Sequence, residues 1–173
     1  LHFISNTVIS VYSINDVVYT YTNFDKALTI DNINYYPTII TYSLHTFHII
    51  NYYNKLLFDD WLHHILMCGI ALPIGNFINS GTMLNHSLFF LTGVPGGINY
   101  LLLFLNRNNY IERFTQKKIN YYLNIWLRAP GCISHSAITI ILAYKDKKNI
   151  IEFFLILCTA FLTYWNGMYF MDK

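Results

Sequence analysis

Residues 150–171 read IIEFFLILCTAFLTYWNGMYFM, with Glu152 as the single charge. A bilayer span takes about 20 mainly apolar residues, and this run has both the length and the composition. It lacks the polar stripe, recurring every helical turn, that a surface helix of a soluble domain needs. In hydrocarbon every backbone polar group must be paired internally, which leaves helices or closed barrels. The run does not alternate apolar with polar residues, so a helix is expected.

Working back toward the start, five further runs have the same character, giving expected membrane segments at Leu1–Tyr21, Pro37–Tyr53, Trp61–Phe77, Thr82–Leu105, Ile119–Ala143 and Ile150–Met171. The first is the weakest, being interrupted by Asn15 and Asp16. Pro37 suits the first turn of its helix, where its missing N–H would be unpaired anyway. Asn76, Asn79 and Gly81 mark a turn after the third segment. Thr92-Gly93-Val94-Pro95-Gly96-Gly97 is expected not to form an unbroken helix, so the fourth segment should kink there, and Pro130-Gly131 should kink the fifth.

Composition agrees with lipid as solvent. Charged residues are 12% and apolar ones 54% of the 173 positions, against about 25% and 45–50% in ordinary soluble domains. The charges collect between the runs: Asp25, Lys26 and Asp31 in one link, Arg107, Arg113, Lys117 and Lys118 in a basic loop, Lys145, Lys147 and Lys148 before the last segment. Lys55, the basic loop and Lys173 outnumber the basic residues of the opposite side, which favours both chain ends being cytosolic. The fold class is therefore all-α, a polytopic membrane helical bundle of about six transmembrane helices, with residues 1–173 as one domain. Leu1 opens inside an apolar run with no signal-peptide pattern, so the native N-terminus is expected upstream. A formal charge of +2 gives no basic patch for nucleic acid. Cys68, Cys132 and Cys158 lie in apolar runs and read as small buried hydrophobes, not as a disulfide framework.

Ionisable groups at membrane depth are costly and usually face the bundle interior or a cavity. His45, His48, His63, His64, His86 and His135 all fall in or beside these segments and are expected to line a common cavity. His45 and His48, three apart, share a helix face. His63 and His64 point about 100° apart, so only one should look straight into a cavity. Asp60 lies one turn before both; a carboxylate there can fix the tautomer of an imidazole and raise its basicity, as a general base or imidazole nucleophile requires. Histidines in membrane bundles also serve simply as interhelical hydrogen-bonding groups. Arg128 lies seven residues before His135, on roughly the same face, and either snorkels to the basic side or pairs with a buried carboxylate or a lipid head group. His45-x-x-His48 with His63-His64 resembles, superficially, the histidine boxes of di-iron membrane hydroxylases, but the repeated HxxHH spacing is absent. The late helix histidines of zinc-dependent membrane ceramidases are absent too. No metal site and no cofactor is assigned. Asn85-His86-Ser87 matches a glycosylation sequon inside a segment, where it carries no meaning.

The order of these features resembles the TLC domain, the membrane fold of the TRAM, LAG and CLN-type proteins, over nearly the whole chain. The most specific stretch is Asp60-Trp61-Leu62-His63-His64-Ile65-Leu66-Met67, similar to the family's central motif in which a histidine pair opens a helix after an acidic residue. Phe3-Ile4-Ser5-Asn6-Thr7-Val8-Ile9-Ser10-Val11-Tyr12-Ser13 resembles its early helix, with Asn6 where a histidine is often found. Phe90-Leu91-Thr92-Gly93-Val94-Pro95-Gly96-Gly97 sits at the small-polar-proline break of many members, and Phe161-Leu162-Thr163-Tyr164-Trp165-Asn166-Gly167-Met168 at the aromatic close of the last helix.

The resemblance implies a bundle around a central, lipid-accessible cavity, located in the endoplasmic reticulum or another intracellular membrane. It implies a membrane lipid or fatty-acyl group as ligand and a role in lipid metabolism or membrane-lipid homeostasis. In ceramide synthases the paired histidines are associated with acyl transfer, which makes His63, His64 and Asp60 the candidate catalytic residues. His45, His48, His86, Arg128, His135 and Pro95 become candidate cavity residues. No acidic residue stands between Asp60 and Glu112, so the further His-Asp pair of ceramide synthases is missing. The alternative is a non-enzymatic membrane scaffold, receptor or structural subunit with membrane-protein partners.

Overall fold

A computed structural model of the chain describes residues 1–29, 34–78, 80–145 and 149–172. Asp31, Asn79, Lys147, Lys148 and Lys173, used above to place links and topology, lie outside the described residues. Among those described there are helices and no strand. The six long ones are α1 (His2–Thr22), α2 (Tyr36–Tyr52), α3 (58–77), α4 (Met83–Arg107), α5 (Arg113–Lys145) and α6 (Ile150–Asp172). Short 3-10 turns at Phe24–Lys26 and Tyr53–Lys55 precede the links to α2 and α3.

Among the described residues three helices are long and apolar enough to cross a membrane: α4, α5 and Ile150–Met171 of α6. The other three fall short of that standard for identifiable reasons. At 1.5 Å per residue the 17-residue α2 spans about 25 Å, less than the about 30 Å of a hydrocarbon core. The first half of α3 carries Asp59, Asp60 and two histidines, and α1 is diluted by asparagine, serine and threonine.

The distribution of residues is inverted relative to a soluble domain. Phe58, Phe77, Phe114 and Trp126 face outward with three-quarters or so of their surface free, while Asn6, Asn85, His86, Arg128 and His135 are buried. Exposed aromatic rings on this scale suit a lipid solvent, in which helices associate through close packing and interhelical hydrogen bonds instead of apolar burial. The α1–α4 contact illustrates both. Gly93, Gly96 and Gly97 let Asn6, Thr7 and Ser10 of α1 approach so closely that a methyl group on Gly96 would stand 2.6 Å from Asn6 Nδ2. Thr92 Oγ1 donates to Asn6 Oδ1 at 3.1 Å, and the Thr20 and Thr82 hydroxyls share a buried bond of 2.8 Å. Asp16, which interrupts the hydropathy of α1, accepts a hydrogen bond from Asn85 Nδ2 at 2.5 Å. The α5–α6 contact repeats the small-residue device, with Gly167 against Cys132.

The internal prolines are absorbed in one way. A proline inside a helix lacks its own N–H and pushes on the carbonyl four residues back. Before Pro73, Pro95 and Pro130 the chain widens into π-helix over Ile65–Ala71, Phe89–Gly93 and Asn124–Arg128. The residue preceding each proline donates five back instead of four: Leu72 to Met67, Val94 to Phe89, Ala129 to Asn124. The wider turn moves the offending carbonyl aside while keeping the helix continuous. The expected interruptions at Pro95 and Pro130 are thus widened turns, and Pro73 adds a third that hydropathy alone did not suggest.

Two boundaries differ by more than a residue or two, the smaller being α3, which begins at Phe58 and not at Trp61. The fifth segment was expected from Ile119, but α5 begins at Arg113. Arg113, Lys117 and Lys118 are good helix formers and exposed. With 33 residues, α5 is about 50 Å long and exceeds the hydrocarbon thickness, so its basic end can lie in water.

Candidate functional site

A cavity of about 430 Å³ lies where the N-terminal ends of α1 and α3 meet α2, α4, α5 and α6. All three π-helical segments open onto it: Leu66, Met67 and Ala71 from the first, Leu91 and Thr92 from the second, Arg128 from the third. A π turn re-aims the side chains around it by interrupting the 3.6-residue period, a device found frequently at functional sites. Here it brings residues of three helices to one wall.

The polar side of the cavity is a crowd of imidazoles. His45 and His48 of α2 face His63 and His64, which close the first two turns of α3. His45 Nδ1 lies 2.9 Å from His64 Nδ1, close enough for one ring to donate to the other. Ring centroids are 5.0 Å apart for His45 and His64, 5.1 Å for His45 and His63, 5.1 Å for His48 and His64, and 5.6 Å for His63 and His64. The adjacent pair was expected to send only one ring into a cavity; both line it, because α2 lays His45 across the angle between them. His64 is 4% exposed, and its Nε2 has no hydrogen-bond partner among the described residues.

Asp59 and Asp60 line the same cavity. Asp60 Oδ2 accepts the Leu57 N–H at 3.0 Å, which anchors the start of α3 and so holds the histidine turn in place. Arg128 is buried at 8% exposure, with its guanidinium over the Phe170 ring at 4.5 Å and its Nε without a hydrogen-bond partner. Among the described residues no carboxylate lies within ion-pairing distance of it; the ion pair found there is Lys145 with Asp25 at the surface.

Two histidines expected in this group stand elsewhere. His86 and His135 are stacked on each other at 5.5 Å, both buried, and His135 lines a second, much smaller cavity. Arg128 and His135 share a helix face in projection, but seven residues put about 10 Å of helix between them. Pro95 is buried in the first turn after its π segment and acts by shaping α4; it is not a lining residue. In their place come residues the pattern of runs did not mark. His2 packs edge-on against His48 at 5.7 Å and Tyr100 at 4.4 Å, and Asn6 lines the cavity beside Thr92, whose hydroxyl donates to it. Chemically the cavity offers imidazole lone pairs, two carboxylates and one buried cation beside an apolar wall that includes Leu44, Leu62, Leu162 and Phe170.

No protein-family model, no curated protein and no solved structure matches this chain.

Proposed function

We propose that this chain is a multi-pass, TLC-like protein of the endoplasmic reticulum or another intracellular membrane that binds the acyl chain of a lipid in this cavity and acts in lipid metabolism by acyl transfer. The observation that carries the reading is the cavity's mixed lining, in which leucines, Met67 and Phe170 stand together with five histidines, Asp59, Asp60 and Arg128. Its volume of about 430 Å³ falls within the roughly 300–1,000 Å³ of small-molecule sites. A buried guanidinium without a carboxylate partner is expensive, and a ligand bearing a carboxylate, phosphate or polarised carbonyl would offset that cost. His63 or His64 then stands as base or transient acyl acceptor, with Asp60 fixing the turn that carries both. All six helices cross the bilayer in this reading, α1 to α3 sheltered by the three more apolar ones.

The test is mass spectrometry of lipids extracted from the purified protein, with wild type and the double variant His63→Ala, His64→Ala compared for acyl transfer. A stoichiometric acyl lipid in both, with transfer lost only in the variant, is expected. A protein carrying no acyl lipid overturns the binding reading, and unchanged transfer in the variant overturns the catalytic one.

A further inference from the structure

We propose that His45, His63 and His64 form a three-imidazole site for a divalent transition-metal ion, Zn²⁺ being the ion whose geometry fits, with its fourth position open to the cavity. The inference does not rest on lipid binding. One nitrogen of each ring lies within 4.8 Å of the other two, and the closest pair is 2.9 Å apart. Three imidazoles on a tetrahedral Zn²⁺ at about 2.0–2.1 Å hold their nitrogens about 3.4 Å from one another. That spacing falls inside the 4.8 Å limit within which the three nitrogens already stand.

The chemistry of the rings points the same way. A neutral imidazole has one N–H and one lone pair. The contact between His45 and His64 satisfies one nitrogen of each and leaves His64 Nε2 buried and unpaired, while His63 and His48 crowd the same space. An ion that accepts one lone pair from each ring at once suits such a crowd of neutral imidazoles better than a further imidazole does. Asp59 and Asp60 in the same cavity add negative charge near the ion. The stacked pair His86 and His135 offers no third ligand of this kind among the described residues, and serves as an internal control. Three protein ligands with an open fourth position is the arrangement of catalytic and not structural zinc. With the ion in place the imidazoles are ligands and no longer free to act as base or acyl acceptor, while the lipid-binding part of that reading is unaffected.

The experiment uses the full chain in detergent, stripped with a chelator and titrated with Co²⁺ and then Zn²⁺, with X-ray absorption on the zinc-loaded protein. Uptake of one equivalent is expected, with the visible bands of tetrahedral cobalt that zinc abolishes, and three imidazole nitrogens at about 2.0–2.1 Å from zinc. His45→Ala and His63→Ala should each weaken binding by at least about 100-fold, and His86→Ala should bind as wild type. Absence of stoichiometric uptake, or uptake unchanged in both ligand variants, overturns the site. Should those variants fail to insert, the wild-type absorption spectrum decides: fewer than three imidazoles on the ion overturns it. Because lipid is not the readout, a protein that binds zinc but no lipid, or lipid but no zinc, separates the two proposals.

Discussion

Gly131→Ala tests the packing that shapes the cavity wall. A methyl group at Gly131 would fall inside the ring of Phe90, whose Cε1 would be 2.7 Å away and whose Cγ and Cδ1 would be nearer still. Carbon atoms sit comfortably at about 3.5–4.0 Å, so the ring has to move by more than about an ångström. It has little freedom to do so: Phe90 is 9% exposed, wedged between Phe89 at 5.0 Å and His86 at 5.1 Å, and held in the π segment of α4. Overpacking of this kind costs about 1–3 kcal/mol. For a chain of this size about 1 kcal/mol corresponds to about 2–4 °C, so unfolding in detergent, followed by circular dichroism, should shift down by about 2–12 °C. The decisive measurement is the double-mutant cycle with Phe90→Ala. Phe90→Ala alone leaves a void, and the alanine at position 131 partly fills it, so the double variant should be more stable than the sum of the singles by about 1 kcal/mol or more. A Gly131→Ala protein as stable as wild type, or strictly additive singles, would refute the close α4–α5 approach at this point.

Arg128→Gln should lower the acyl lipid co-purifying with the protein by about tenfold or more, a loss of about 1.4 kcal/mol, measured by quantitative lipid mass spectrometry; retention of wild-type lipid would show that the guanidinium faces no anionic or carbonyl group. Asn85→Leu removes the donor to Asp16 and leaves a half-buried carboxylate without it, at an expected about 1.5–3 kcal/mol. Adding Asp16→Leu should recover part of that loss in the same thermal assay, whereas no recovery would show the two side chains to be uncoupled. Thr20→Val deletes the buried bond to Thr82 but leaves the Thr82 hydroxyl donating to the Ala27 carbonyl at 3.2 Å, and should cost about 0.6 kcal/mol, the average for interhelical hydrogen bonds in membrane proteins; a loss above about 2 kcal/mol would show that the Ala27 bond does not hold Thr82.

Hydropathy made the helices legible because the apolar runs are long and most of the charges stand in the links. It located α6 to within a residue, and it located α5 poorly, since a helix that leaves the apolar layer can continue through Arg113, Lys117 and Lys118 with no change of structure. The histidine pair with His45 and His48 was legible because ionisable groups are rare in such runs. Depth was not. A sequence projected on a helical wheel gives the angle of His135 and Arg128 but not the about 10 Å between them along the axis, so one cavity was expected where the histidines form two groups. His2 escaped notice because a lone imidazole at the edge of the weakest run carries no pattern. The signal that could have found it is the aromatic and polar character of the facing residues, His48 and Tyr100, which only the fold brings together. The widened turns had a signal in the three internal prolines, but proline alone does not say whether a helix bends, breaks or widens.

The five-residue π turns before Pro95 and Pro130 each carry one residue more than an α-helix of the same length needs. In the currency of heredity, each is a site where loss of a single codon removes the widened turn and leaves the helix beyond it in register, with the proline's clash returned as a kink. Such a deletion in 89–93 would re-aim Leu91 and Thr92 while Asn99 and Tyr100 keep their neighbours, and one in 124–128 would re-aim Arg128. The lining of this cavity can therefore be rewritten by indels no longer than one amino acid, without rebuilding any helix, and that is the kind of change by which one bundle could come to accept ligands of different shapes.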